Sequence, residues 1–202
     1  MDSTAIIASC IQAAARDLGY PVPDTATASH VIGLGLHDAL SLAIPKLPTS
    51  EYGRMAERYR IHFLAKDPFT PLFEGVIPLL SGLIERGRYL AVATGKSRAG
   101  LARALRATGT ENMFSATRCA DQTASKPAPD MLRELIGEFG VPRESTLMIG
   151  DTTHDLQMAA NAGVQSVAVT HGAHPRAALE SMNPLACVDN IAELAGWLQL
   201  NT

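Results

Sequence analysis

Two different hydrophobic rhythms divide the chain. Up to about residue 66, apolar positions in IIASCIQAAARDLG, SHVIGLGLHDALSLAI and SEYGRMAERYRIHFLA recur at the spacing of one helix face, with Pro and Gly between the segments. This predicts an α-helical module over 1–68. From about residue 69 the pattern changes to short β-rich apolar runs alternating with helical stretches. Candidate strands are Tyr89 to Ala93, Ala116 to Cys119, Thr146 to Ile149, Gln165 to Val169 and Ala186 to Val188. Strands separated by helices predict a parallel, doubly wound α/β core over 69–202, with the helical module beside it. The division falls near Pro68 to Pro78.

In open α/β sheets, ligands gather beyond the carboxyl ends of the strands, so the chemistry is sought there. The segment TLMIGDTTHD runs from an apolar stretch through Gly150, read as a sharp turn, to two carboxylates, Asp151 and Asp155. Mg2+ favours one or two carboxylates completed by water and phosphate oxygens. The alternative is that Asp151 closes a turn and Asp155 N-caps the following helix. YLAVATGKS places Thr94, Gly95 and Lys96 between a strand and a helix, where a hydroxyl and backbone N–H groups can meet a phosphate or simply cap the helix. In ASKPAPD, Lys126 precedes two prolines that keep the chain out of a helix until Asp130, which fixes a point charge on a stiff loop. The chain has four lysines, and two of them, Lys96 and Lys126, lie in these loops.

Taken in order, VATGK, SKPAPD and IGDTTHD resemble the haloacid dehalogenase superfamily of phosphohydrolases. PLFEGVIPLLSGLIERG, ENMFS and AANAGVQSVAVTHG are similar to its phosphoglycolate phosphatase-like members, so the resemblance covers nearly the whole chain. It implies that Thr94 binds the transferring phosphoryl group, that Lys126 stabilises its charge and that Asp151 ligates Mg2+, with Asp155 supporting either the metal or Lys126. Gly95 and Lys96 belong to the same phosphate-facing loop. The helical module would be a cap that excludes water and selects the substrate, with Gly33, Gly35, His37, Arg58 and Arg60 as its candidates; Arg60 could bind a carboxylate or phosphate of the substrate.

The family's first motif, Asp-x-Asp-Gly-Thr-Leu at the end of the first strand, is not among these residues; MDSTAII is similar to the segment directly after that motif in relatives. The resemblance therefore implies a core without its first strand and nucleophile, and a chain that hydrolyses poorly by itself. An unfilled strand position between those ending in Thr94 and Gly150 is expected to close up or to borrow a strand from a second copy, which makes a homodimer an expectation. Asp2 or Ser3 is expected to N-cap the first helix rather than to act in catalysis.

Composition narrows the alternatives. The sequence is 202 residues long, 47% hydrophobic and 18% charged, with a net charge of −3 and no cationic stripe, which argues against nucleic acid as a partner. Cys10, Cys119 and Cys187 are far apart, as expected of reduced thiols in a cytoplasmic protein, and no apolar run approaches membrane-spanning length. His154 is expected to face solvent or touch the helix start, and His171 and His174 to lie on a variable loop. The sequence thus reads as a Mg2+-dependent hydrolase of a small phosphorylated metabolite. A noncatalytic relative that binds phosphorylated ligands or a partner, or a phosphosugar mutase, uses the same residues.

Overall fold

The computed structural model describes residues 1, 3–66 and 70–201. The boundary at Pro68 and the capping role considered for Asp2 lie outside them. Four helices come first: α1 (Thr4–Asp17), α2 (Thr25–His30), α3 (Leu36–Ala43) and α4 (Tyr52–Lys66). Apolar positions at helical spacing on α1, α3 and α4 meet in one cluster built on Ile11, Ala14, Leu40, Ile44 and Met55. Leu40 and Met55 are completely buried there. Small residues on α1, among them Ala14 and Ala15, let the neighbouring helices approach. Ser3 occupies the N-cap position of α1, but its side chain makes no capping bond.

The stretch from Ser29 to Ile44, read as one helical run, is two helices. A turn over 31–35 separates α2 from α3, with Gly33 at φ 100° and Gly35 at the N-cap of α3. The apolar period continues across the turn because Val31 and Leu34 still face the cluster, which is why the break does not show in the hydrophobic pattern.

The rest of the chain alternates α5 (Val76–Glu85), β1 (Ala91–Thr94), α6 (Arg98–Thr108), β2 (Ala116–Cys119), α7 (Asp130–Phe139), β3 (Leu147–Gly150), α8 (Thr153–Ala162), β4 (Gln165–Val169), α9 (Arg176–Glu180), β5 (Ala186–Val188) and α10 (Ile191–Asn201). All the strand pairs are parallel, as the alternation with helices requires. The strands fall into two ladders, β2–β1 and β3–β4–β5. Among the described residues β1 and β3 share no ladder, and α1, not a strand, occupies 4–17. A cavity of about 830 Å³ lies between them, lined by Val92 to Lys96 on one side and Met148 to Asp151 on the other. Closure of the two edges, one of the two outcomes favoured from sequence, does not occur among the described residues: helices pack across the gap. Met131 and Leu132 of α7 pack with Met158 and Ala159 of α8, and this cluster touches Ala93 on β1 and Met148 on β3.

Gly150 is a strand residue rather than a turn. A Cβ there would stand 2.2 Å from Cβ of Asp155, so the absence of a side chain is what lets α8 fold back on β3. Asp155 does not N-cap α8 either. Thr152 does, and Asp155 is the third helical residue, closing a reciprocal capping box with it.

The helical cluster should carry much of that segment's stability. Leu40→Ala is expected to cost about 2–5 kcal/mol, whereas Leu200→Ala, at an 88% exposed position, should change stability by less than about 0.5 kcal/mol. Urea unfolding followed by circular dichroism measures both. Equal midpoints for the two variants would show that the cluster is not a stabilising core.

Candidate functional site

The sequence-selected loops converge on the cavity between β1 and β3. Thr94, Gly95, Lys96, Lys126, Asp151, Asp155 and Arg60 all line it. Strand ends deliver the first three and Asp151; a loop ending at α7 delivers Lys126, and α4 reaches in with Arg60.

Lys126 and Asp155 form a buried ion pair, Nζ to Oδ1 at 2.5 Å, with side chains 6% and 4% exposed. Burying two charges costs several kcal/mol per ion unless the remaining lone pairs and protons are satisfied. Here the second carboxylate oxygen is: Asp155 Oδ2 accepts from Thr152 Oγ1 at 2.7 Å and from Thr152 N–H at 3.2 Å. Asp155 N–H donates in turn to Thr152 Oγ1 at 3.2 Å. Asp155 is thus engaged through both oxygens, and its geometry serves Lys126 and the helix start.

Asp151 is held differently. Its Oδ2 accepts from Ala173 N–H at 2.9 Å, and its carbonyl accepts from His174 N–H at 3.1 Å. Burial raises its carboxyl above the usual range, and the nearby Asp155 charge raises it further. A carboxylate made costly in this way is an oxygen donor that fits a hard divalent cation such as Mg2+.

In the loop after β1, Lys96 N–H donates to Thr94 Oγ1 at 3.2 Å. At Gly95 a Cβ would fall 2.2 Å from the carbonyl oxygen of Leu34, so the turn between α2 and α3 lies directly on this loop. Gly35 N–H donates to Ser125 Oγ at 2.8 Å beside Lys126, a second tie between the same turn and the site. Lys96 Nζ sits 4.9 Å from the ring centre of Phe63 on α4, within cation–π range. Arg60 is exposed, whereas Arg58 is directed away, 3.8 Å from Asp17. His37 packs edge-on against Tyr52.

The histidines depart most from expectation. His174, read as part of a variable loop, is buried at 3% exposure; its Nδ1 accepts from Thr153 N–H at 3.0 Å, and burial lowers its pKa to about 4. His154 is half-buried, and burial lowers its pKa too. Both rings direct Nε2 at the main-chain oxygen of His30, at 2.8 and 2.9 Å. His30 drew no notice in the sequence because nothing in its local pattern marks it; its partners are more than a hundred positions away. Cys10 and Cys119 are buried, with thiols pushed up by that burial, and Cys187 is free and partly buried. Among the described residues, no helix is long and apolar enough to cross a membrane.

Comparison with known proteins gives this geometry its context. A family model described as haloacid dehalogenase-like hydrolase matches residues 1–169. The chain is 34% identical over 202 residues to "Probable phosphatase IndB" of Dickeya dadantii, covering 97% of this chain and 87% of that protein. It is 33% identical over 153 residues to a "Phosphoglycolate phosphatase" of Rhodospirillum rubrum, covering 74% of this chain and 62% of that protein. In fold it is similar to a hydrolase from Pseudomonas syringae, with a TM-score of 0.90 at 20% identity over 100% of this chain and 94% of the other. With its α/β fold, its strand-end loops and a match over residues 1–169, the chain belongs to the haloacid dehalogenase-like hydrolase family.

Proposed function

We propose that this chain forms the phosphate-handling part of a Mg2+-dependent phosphatase acting on a small phosphorylated metabolite. The observation that carries the reading is the Lys126–Asp155 pair, a fixed cation lining the same cavity as Thr94 and Asp151.

In this reading the Thr94 hydroxyl and the N–H groups of the Gly95 loop bind phosphoryl oxygens. Lys126 neutralises the charge that develops on them, worth most where water is excluded. Asp155 is a positioning residue, since both of its oxygens are committed to Lys126 and Thr152. Asp151 would hold Mg2+, which when bound supplies Lewis-acid stabilisation of the phosphoryl oxygens. Lys96 and Arg60, which line the cavity from the core and from α4, would face the non-reacting part of the substrate. The helices over 4–66 act as a cap, and the turn lying on Gly95 and Ser125 is the surface through which it closes.

The nucleophile is not among these residues: the family's Asp-x-Asp-Gly-Thr-Leu motif does not occur in the 202-residue sequence. The 202-residue polypeptide alone should therefore show little or no Mg2+-dependent hydrolysis of small phosphomonoesters. Fusing an upstream strand that carries the motif should produce activity, by filling the cavity between β1 and β3. In that fusion, Lys126→Ala and Asp151→Ala are each expected to lower kcat at least about 100-fold, and His154→Ala far less. Steady-state phosphate release decides it. Turnover by the unfused chain that disappears in Asp151→Asn would mean that another nucleophile serves.

The metal assignment has a test independent of turnover. Because the folded state raises the Asp151 carboxyl, the cost of its charge is absent at low pH. It grows as pH rises from the ordinary carboxylate value towards the raised one and is complete above it. At neutral pH without metal, Asp151→Asn, which keeps an oxygen for Ala173 N–H, should raise stability and with it Tm. Adding Mg2+ should raise the Tm of the parent chain but not of the variant. Equal Mg2+ stabilisation of both would remove Asp151 from the metal site.

A further inference from the structure

Three imidazoles meet where the α2–α3 turn rests on the core, apart from the groups assigned to phosphoryl transfer. His30 is the last residue of α2, His154 lies in the first turn of α8, and His174 follows β4. One ligand nitrogen from each lies within 4.8 Å of the other two. The ring centres of His30 and His174 are 5.1 Å apart, those of His154 and His174 5.1 Å, and those of His30 and His154 5.4 Å.

Their hydrogen bonds leave lone pairs over. His154 and His174 both donate from Nε2 to the His30 carbonyl, which has room for two donors. Among the described residues, Nδ1 of His154 and both ring nitrogens of His30 have no hydrogen-bond partner. Three imidazoles within reach of one another, one on a helical segment and two on the core, form a donor set with a definite preference. Imidazole suits Zn2+, Ni2+ and Cu2+, whereas Mg2+ takes hard oxygens.

We propose that His30, His154 and His174 bind a divalent transition-metal ion of the zinc type, and that this ion ties the helical segment to the core. In tetrahedral zinc, bonds of about 2.0–2.1 Å set the nitrogens roughly 3.3 Å apart. The site must therefore contract by at most about 1.5 Å from the 4.8 Å limit. His30 is exposed at a helix end and can supply that movement by rotating its side chain. For Nε2 to bind, His174 must carry its proton on Nδ1, exchanging the hydrogen bond it accepts from Thr153 N–H for one it donates to Thr153 Oγ1, 3.1 Å away. Metal-bound histidines ordinarily make such an outer hydrogen bond, which fixes their tautomer. The ion uses neither Asp151 nor Asp155, so it is separate from the Mg2+ site, although His154 adjoins Asp155 in sequence and His174 N–H donates to the Asp151 carbonyl.

The test is a titration of the 202-residue chain with Co2+ and then Zn2+ in excess Mg2+. The expected result is one Co2+ per chain with the visible bands of a tetrahedral nitrogen site, displaced by Zn2+, and a Zn2+-dependent rise in Tm. His30→Ala, at an exposed position that threatens the fold least, and His174→Ala should each weaken Zn2+ binding at least about 10-fold and remove the Tm rise. Asp151→Asn should leave both unchanged. Absence of Zn2+ binding, binding of equal affinity in His30→Ala, or loss of binding in Asp151→Asn would each overturn the proposal.

Discussion

The buried pair of Lys126 and Asp155 is the constraint on which the arrangement of the site depends. Neither charge can remain there without the other, because removing one partner of a buried pair typically costs about 3–5 kcal/mol. The pair joins the proline-stiffened loop before α7 to the first turn of α8, and through Gly150 it sets how closely α8 lies on β3. Asp155 also caps its own helix with Thr152, so one carboxylate fixes a cation, a helix start and a strand end together. The ionic contact that would serve phosphoryl chemistry thus also defines the local fold.

The helical segment meets this frame through backbone as much as through side chains. The Leu34 carbonyl lies on Gly95, Gly35 N–H donates to Ser125 Oγ, and the His30 carbonyl accepts hydrogen bonds from two core imidazoles. Three points on one short stretch, 30–35, are therefore pinned to three different loops of the core and to the first turn of α8. Apolar packing within the segment is internal to it, around Leu40 and Met55. Such a seam is polar and directional, and it specifies one docked orientation better than a greasy patch would.

Much of this was legible in the sequence, and the parts that were not share a cause. β2, β4 and β5 begin and end where the apolar runs do, because a short buried strand needs an unbroken β-rich run. β1 starts two residues later than Tyr89, whose aromatic ring suits a strand but here stacks on Phe139 at the surface. Thr94 and Asp151 stood out because they lie at the ends of apolar runs beside a Gly, and Lys126 because it precedes a Pro in a loop, all purely local signatures. The turn at 31–35, the capping role of Thr152 and the histidine cluster were hidden because each is decided by a residue distant in sequence or by hydrogen-bond direction. His30 and His174 are 144 positions apart, and no periodicity links them.

The division of the strands into two ladders bears on how firmly the site is built. Within a ladder, the spacing of neighbouring strands is dictated by backbone hydrogen bonds and hardly varies. Between β1 and β3 it is dictated instead by the side chains of α7 and α8, through Met131, Leu132 and Met158 touching Ala93 and Met148. Methionine has three rotatable bonds and adapts its shape to its surroundings. The separation of Thr94 from Asp151 is therefore set by side-chain packing and not by ladder bonds. The spacing of the two halves thus rests on methionine and leucine side chains, a contact of a different kind from the hydrogen-bonded ladders on either side.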